Sequence, residues 1–416
     1  MLLQFKVRNF MSFRDEVILD MMASNTDELK ENVIEEAGNA VLKTATIFGA
    51  NASGKSNVVK AITSAIMTIR ESEHIQLGDS LFRIIPFKLD SLSRFSVTTF
   101  EFTFIAEGTK HVYGFSADTK IISEEYLLAY YSQRPTTIFH RSNDEYKFPS
   151  DKTILQELTK RNIPNRLFLS TATAWNYERT RAPFIWLSKM IDTYDTNSWV
   201  PDFNSLMKKE QRDFTNELLR IADINIADYH VKKVDLPKEQ IEVLKGITLF
   251  REMLDSKQTF NGDFYSTQTI HKIIDKNGDI STNVLDLVEE SIGTQILFYM
   301  SVYLRNAFKQ GKIMVVDEFE NSLHPLIVEE LIRMFHDSAI NSSGAQLIFT
   351  THNTNILSLD LFRRDQILFV EKDQNTAVSE MYSLSDLSVR RDENIRNGYI
   401  HGRYGGIPNI LRGGTL

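Results

Sequence analysis

The sequence predicts an α/β protein in which a parallel sheet carries a phosphate site at the carboxyl ends of its strands. Three stretches make that prediction. Val41 to Phe48 is an apolar, β-branched run leading into Gly49-Ala50-Asn51-Ala52-Ser53-Gly54-Lys55-Ser56, and Asn57 to Arg70 follows with apolar residues at helical spacing. Ile313 to Val316 is a second apolar run, and it ends in Asp317 and Glu318. Gln346 to Phe349 is a third, ending in the polar turn Thr350-Thr351-His352-Asn353. Open α/β sheets place their ligands at such strand ends.

The first stretch has the form G-x-x-x-x-G-K-[ST], a phosphate-binding loop. Glycines let the backbone turn tightly and bring N–H groups to phosphate oxygens. The free N–H groups and the dipole of the following helix add to the attraction for negative charge. Gly49, Asn51, Gly54, Lys55 and Ser56 are therefore expected to contact a nucleotide. Lys55 would reach the β- and γ-phosphates, and Ser56 would offer its hydroxyl to Mg²⁺. Asp317 would hold the same Mg²⁺, directly or through water. Glu318 would orient and deprotonate the attacking water. ATP and Mg²⁺ are the expected cofactors.

Composition narrows the class. The chain has 416 residues, 42% of them hydrophobic, enough for a large core in two or three lobes. Lys and Arg number 47 against 55 Asp and Glu, a net charge of −8, which disfavours a general nucleic-acid coat and leaves a local basic patch open. The absence of cysteine excludes disulfides, cysteine-ligated zinc and a thiol nucleophile, and fits a cytoplasmic protein. The first residues lack the apolar core of a signal peptide, and no run of 18 apolar residues occurs, so no membrane span is expected.

In chain order, Leu2 to Asn9 alternates as a strand, with Leu3, Phe5 and Val7 on one face, and Asn9-Phe10-Met11-Ser12-Phe13 follows. Phe95 to Ala117 reads as a hairpin turning at Glu107-Gly108, and Glu124 to Tyr131 and Thr136 to Arg141 as further strands. Residues 1–150 are thus a β-rich first lobe. Residues 151–285 read as a compact, mainly helical insertion without sustained heptads. Ile154 to Thr159 and Phe203 to Ile221 are its helices, and Trp175, Trp186 and Trp199 read as core. Residues 286–416 form the second lobe. Ser291-Ile292-Gly293-Thr294-Gln295 stands at the start of the apolar helix Ile296 to Phe308, as either a second anion site or an ordinary serine cap. His324 reads as a helix-start residue or as part of the site. The tail carries Arg390, Arg391, Arg396, Arg403 and Arg412 among glycines.

Taken in order, these motifs resemble the ABC superfamily, and within it the OLD-like and RecF-like ATPases. N-F-x-S-F ahead of the P-loop, S-x-G-x-Q, D-E-x-E-x-x-L-H-P and T-T-H-N carry the resemblance. The ending Gly402-Arg403-Tyr404-Gly405-Gly406-Ile407-Pro408 resembles the RloA/AbiL-like ATPases of bacterial defence loci. The resemblance implies an ABC-type (RecF/SMC-like) P-loop ATPase head with two lobes. It implies that Ser291 and Gly293 bind the γ-phosphate of a nucleotide held by an opposite subunit, that Asn321 lies on the D-loop reaching that subunit, and that His352 is the γ-phosphate switch. Such heads usually carry a glutamine sensing Mg²⁺; Gln76 and Gln133 are candidates, and the role stays unassigned.

The functional expectation is a slow ATPase that pairs with a second copy when ATP binds. It would regulate a separate effector, a nuclease or other toxin, in anti-phage defence. A nuclease domain of the OLD kind is expected on another polypeptide. The competing reading is a DNA repair or maintenance ATPase that clamps DNA directly. An AAA+ remodeller, a GTPase and a transporter subunit fit less well.

Overall fold

The computed structural model describes residues 1–195, 199, 202–234, 264–274, 276–390 and 393–407. By compactness the chain divides into one unit of Met1–Ser198 with Ala307–Leu416, and a second of Trp199–Asn306.

The first unit opens with β1 (Leu2–Arg8) and β2 (Val17–Asp20), then the hairpin β3 (Val33–Glu36) and β4 (Asn39–Leu42). β5 (Thr44–Phe48) is buried throughout and runs through the loop into α1 (Lys55–Glu71). Next come β6 (Thr98–Ala106), β7 (Thr109–Ala117), β8 (Ile122–Tyr130), β9 (Thr136–Ser142) and β10 (Glu145–Lys147). The β6–β7 turn is the expected one: Glu107 and Gly108 both have positive φ, 49° and 72°, the twist a two-residue hairpin loop requires. Helices α2 (Lys152–Thr159), α3 (Phe168–Ala174) and α4 (Glu178–Lys189) lead to β11 (Ile191–Tyr194).

The second unit holds α5 (Phe203–Leu206), α6 (Lys209–Ile221), an antiparallel sheet of β12 (Asp228–Val234), β13 (Phe264–Ile274) and β14 (Ile280–Asp286), and most of α7 (Ile292–Gln310). Its described residues are thus a helix-and-sheet mixture. Thr267 and Thr269 are buried and their neighbours half-buried, the alternation a strand needs.

The first unit resumes with β15 (Ile313–Val316), α8 (Pro325–His336), β16 (Gln346–Thr350), β17 (Ile367–Lys372), β18 (Ser379–Ser383) and α9 (Ile395–Ile400). Its strands make two sheets. One is antiparallel, in the order β10-β9-β8-β7-β6-β1-β2. The other is β11-β15-β16-β5-β17-β18, parallel except for β18. Gln346 joins the sheets: its amide accepts from Leu2 N at 2.8 Å and donates to the Leu2 and Leu42 carbonyls at 3.0 and 3.1 Å. Phenylalanines of the antiparallel sheet are core, Phe5 against its cross-strand neighbour Phe102 at 4.8 Å and Phe104 stacked on Trp186 of α4 at 4.2 Å.

The fold class is α/β with two sheets around a P-loop, as the sequence indicates. Three placements differ from the reading by pattern. Residues 151–195, read as insertion, belong to the first unit, and β11 pairs in parallel with β15 within the central sheet. Only Trp186 of the three tryptophans is core; Trp175 is 52% exposed under the Arg161 guanidinium. Phe203 to Ile221 is broken into α5 and α6. No helix among the described residues is long and apolar enough to cross a membrane.

Candidate functional site

The P-loop leaves the buried end of β5 and enters α1 at Gly54, whose φ of +113° suits glycine. A side chain there has no room: a Cβ would stand 2.6 Å from Ser379 Oγ and 2.7 Å from Ser12 Oγ. Ser12 comes from the β1–β2 turn. Its hydroxyl accepts from Asn57 Nδ2 at 2.7 Å, and its carbonyl accepts from Ser379 N at 2.8 Å. Ser379 Oγ in turn donates to Ser53 O at 2.5 Å. The N-F-x-S-F segment is both a tight turn, closed by a Phe10–Phe13 bridge, and a brace for the P-loop.

Lys55 is 5% exposed and its Nζ donates to the carbonyls of Gly49 and Ala50 at 2.7 and 2.9 Å. Burial pushes its pKa down to about 8, although Asp317, Glu320 and Glu318 pull it up. A desolvated ammonium at the start of a helix, beside free backbone N–H groups, suits an anion. The Ser53 hydroxyl is buried beside it with no hydrogen-bond partner among the described residues. Both observations fit a phosphate chain. Asn51 is exposed on the loop, and Ser56 is half-buried in the first turn of α1.

β15 delivers the carboxylates. Asp317 N donates to Tyr194 O at 2.9 Å, so the end of β11 flanks it. Thr350, at the end of β16, is fully buried. Its Oγ1 donates to Asp317 Oδ1 at 2.5 Å and accepts from Glu318 N at 2.8 Å. Glu318 has φ 51°, a left-handed turn that swings its side chain out of the sheet; it is 47% exposed. His352 Nε2 lies 3.9 Å from Glu318 Oε1, and His352 N donates to Glu320 Oε1 at 2.5 Å. Glu320 Oε2 is buried without a partner among the described residues. Asn321 N closes the turn on Glu318 O at 3.0 Å, with the Asn321 side chain exposed.

No group of three or more His, Cys, Asp or Glu suited to a metal occurs among the described residues. One carboxylate and one hydroxyl, Asp317 and Ser56, are a donor set that suits Mg²⁺, which keeps several waters and shares phosphate oxygens.

The structure therefore brings Gly49–Ser56, Asp317, Glu318, Glu320 and His352 into one neighbourhood of the first unit. Ser291 and Gly293 belong to the second. There Ser291 Oγ accepts from Thr294 N at 3.1 Å and pairs with Thr294 Oγ1 at 2.8 Å, the geometry of a serine cap on α7. His324 likewise caps α8, its Nδ1 accepting from Leu326 N at 3.3 Å ahead of Pro325. Gln133 is exposed in the β8–β9 connection, and Gln76 is exposed with its backbone on Asp79 and Asn165. Sequence reasoning passed over Thr350, Ser379 and the β11 end. Thr350 was visible as the last residue of a buried strand facing an acidic strand end, whereas nothing near Ser379 marks it.

Arg391, Pro408 and Arg412 lie outside the described residues. Arg403 is paired with Glu393 at 2.5 Å, and Tyr404 donates to the same carboxylate.

No curated protein matches the sequence. Among solved structures, the chain is similar to the SMC head domain from Thermotoga maritima, with a TM-score of 0.42 and 13% identity over 93% of this chain and 99% of that one. An SMC head bound to the C-winged helix domain of ScpA gives 0.40, with 13% identity over 92% and 97%. An SMC head with an extended coiled coil, bound to the C-terminal domain of ScpA derived from Pyrococcus furiosus, gives 0.35, with 12% identity over 92% and 96%. Residues 45–358, from β5 past the turn that carries His352 and so well over half of the chain, match the family described as "AAA domain, putative AbiEii toxin, Type IV TA system", and the chain belongs to that family.

Proposed function

We propose that the protein binds and slowly hydrolyses ATP with Mg²⁺, and that ATP closes two copies over composite sites. The closed pair would hold or release a separately encoded effector, a nuclease or other toxin, in defence against phage. The observation that carries the reading is the meeting of Lys55, Asp317, Glu318 and His352 at neighbouring strand ends, with Lys55 desolvated and facing three carboxylates.

In this reading Gly49, Asn51, Gly54 and Lys55 hold the phosphates. Asp317 and Ser56 would hold Mg²⁺, which neutralises phosphate charge when bound. Glu318 takes a proton from the attacking water, and His352 reports on the γ-phosphate. Ser291, Gly293 and Asn321 act on the nucleotide of the opposite copy. A toxin–antitoxin term in the family's description supports the defence role. The OLD and RloA/AbiL subtype remains part of this proposal and rests on the motifs alone.

Glu318→Gln is the decisive variant. It should bind ATP, lose at least a hundredfold in turnover, and sediment as a pair with ATP but not ADP. Fully active monomers would overturn the composite site. Purification of the ATP-trapped variant should bring down the effector. Toxicity of the chain expressed alone would instead make it its own effector. ATP-dependent DNA binding that survives salt would favour the clamp reading.

A further inference from the structure

The last described segment, α9 and residues 401–407, has no part in the chemistry above, yet it is built against the first P-loop glycine. Tyr399 is 7% exposed. Its ring stacks on Phe369 at 5.4 Å and lies 6.0 Å from Phe48, the final residue of β5. Its hydroxyl donates to Gly406 O at 2.9 Å. Gly406 has φ +65°, and a Cβ on it would stand 3.6 Å from Gly49 Cα and 3.7 Å from Val370 O. A Cβ on Gly49 would collide with that same Val370 carbonyl. Gly49 is thus pressed between the end of β17 and the tail.

The tail is itself held. Tyr382 OH donates to Tyr404 O at 2.6 Å, and the Tyr404 ring stacks on Phe369 at 6.0 Å. Gly405, at φ +69°, has no space for a side chain against Tyr382 and Glu371. Two consecutive glycines in the left-handed region let the chain bend onto the P-loop at a place where any other residue would be strained.

We propose that Tyr399 and Gly406 are positioning residues for nucleotide binding, fixing the direction of the Gly49 backbone so that the P-loop is ordered before phosphate arrives. The proposal rests on the nucleotide reading above. A loop already ordered by folding loses less conformational freedom on binding, and that difference appears as affinity. The route runs from the Tyr399 hydroxyl to the Gly406 carbonyl it holds, and from Gly406 to the Gly49 backbone beside it, so it reaches the site without touching nucleotide.

Tyr399→Phe keeps both ring contacts and removes the hydroxyl. The Kd for Mg²⁺–ATPγS by calorimetry, kcat and KM for ATP, and the thermal unfolding midpoint are measured together. The Kd and KM should rise about twofold to tenfold, the range for one lost hydrogen bond, with kcat and midpoint nearly unchanged. Gly406→Val, which forces a β-branched residue to positive φ, should raise the Kd further. A lowered midpoint with unchanged Kd in both variants would make the segment merely structural and overturn the proposal. Wild-type binding abolished by Lys55→Ala, with Tyr399→Phe unaffected, would remove this proposal and leave the nucleotide reading. A wild-type protein that fails to bind ATPγS would remove both.

Discussion

Replacing Thr350 by valine keeps the shape of a fully buried side chain and deletes one hydroxyl. That hydroxyl makes two bonds, donating to Asp317 Oδ1 at 2.5 Å and accepting from Glu318 N at 2.8 Å. A bond to a charged group contributes about 1.5–3 kcal/mol and a neutral one about 0.5–1.5 kcal/mol. The sum for Thr350→Val is about 2–4.5 kcal/mol. Asp317 is only half-buried and regains some water, so the lower end, about 2 kcal/mol, is the expected loss of stability in urea. The larger effect falls on turnover. Asp317 would lose the partner that sets its rotamer, and misplacement of about 1 Å in a catalytic group costs on the order of 10²-fold. The Mg²⁺ concentration for half-maximal ATP turnover should rise with it. Thr350→Ser, which restores the hydroxyl, should recover most of both. Wild-type stability and an unchanged Mg²⁺ dependence in Thr350→Val would refute the idea that this clamp places Asp317.

Three further outcomes can be checked. Gly54→Ala sets a Cβ against Ser379 and Ser12 at φ +113° and should abolish nucleotide binding by calorimetry while circular dichroism stays native. Lys55, with a folded pKa near 8 against an ordinary value of 10.5, is protonated below pH 8 and gives up its proton above it. Bound phosphate would hold that proton, so ATP affinity should be flat from pH 7 to 8 and then fall by up to tenfold per unit, with proton uptake on binding; the free protein should gain rather than lose stability over the same range, because the charge whose burial is costly is leaving. Glu125 is fully buried, accepts from Phe168 N and Leu169 N at 2.6 and 2.8 Å, and lies 3.8 Å from Arg141; Glu125→Ala leaves that buried guanidinium with three backbone carbonyls but no carboxylate, leaves the two N–H groups unpaired, and should lower the unfolding free energy by about 3–5 kcal/mol.

Much of the central sheet was legible because its strands are buried on both faces. β5, β15 and β16 read as apolar runs, and each ends in polar residues of the kind a ligand site uses. The β6–β7 hairpin was legible from alternation plus Glu107-Gly108. β11 was hidden for the opposite reason. Ile191-Asp192-Thr193-Tyr194 carries a charge in mid-strand, and that charge is tolerated because Asp192 meets Lys312 at 2.7 Å and Arg70 at 3.6 Å. The pairing partners lie more than a hundred residues away, so no local pattern could show them. The tail's contact with Gly49 was hidden likewise: a Gly-Arg-Tyr-Gly-Gly run fits a docked segment and a ligand-touching basic tail equally, and its tyrosine anchors depend on Phe48, Phe369 and Tyr382.

The two strand ends that carry Glu318 and His352 are tied together as one piece. Phe319 N donates to Thr350 O at 3.1 Å, Glu318 N to Thr350 Oγ1, and His352 N to Glu320 Oε1, with the Phe319 and Phe349 rings 5.3 Å apart. In the proposed reading of His352, a γ-phosphate signal there would therefore not be a hinge between these strands. It has to act through side-chain rotation about a fixed backbone, or be taken up elsewhere in the chain. Glu320 is the test of that coupling, since it alone fixes the His352 N–H with a side chain. In a double-mutant cycle on ATP turnover, His352→Ala should cost less in the Glu320→Ala background than in wild type, with an interaction energy of about 0.5–3 kcal/mol. Additive effects would mean that His352 works independently of the acidic turn, and the switch would then have to be sought outside this strand pair.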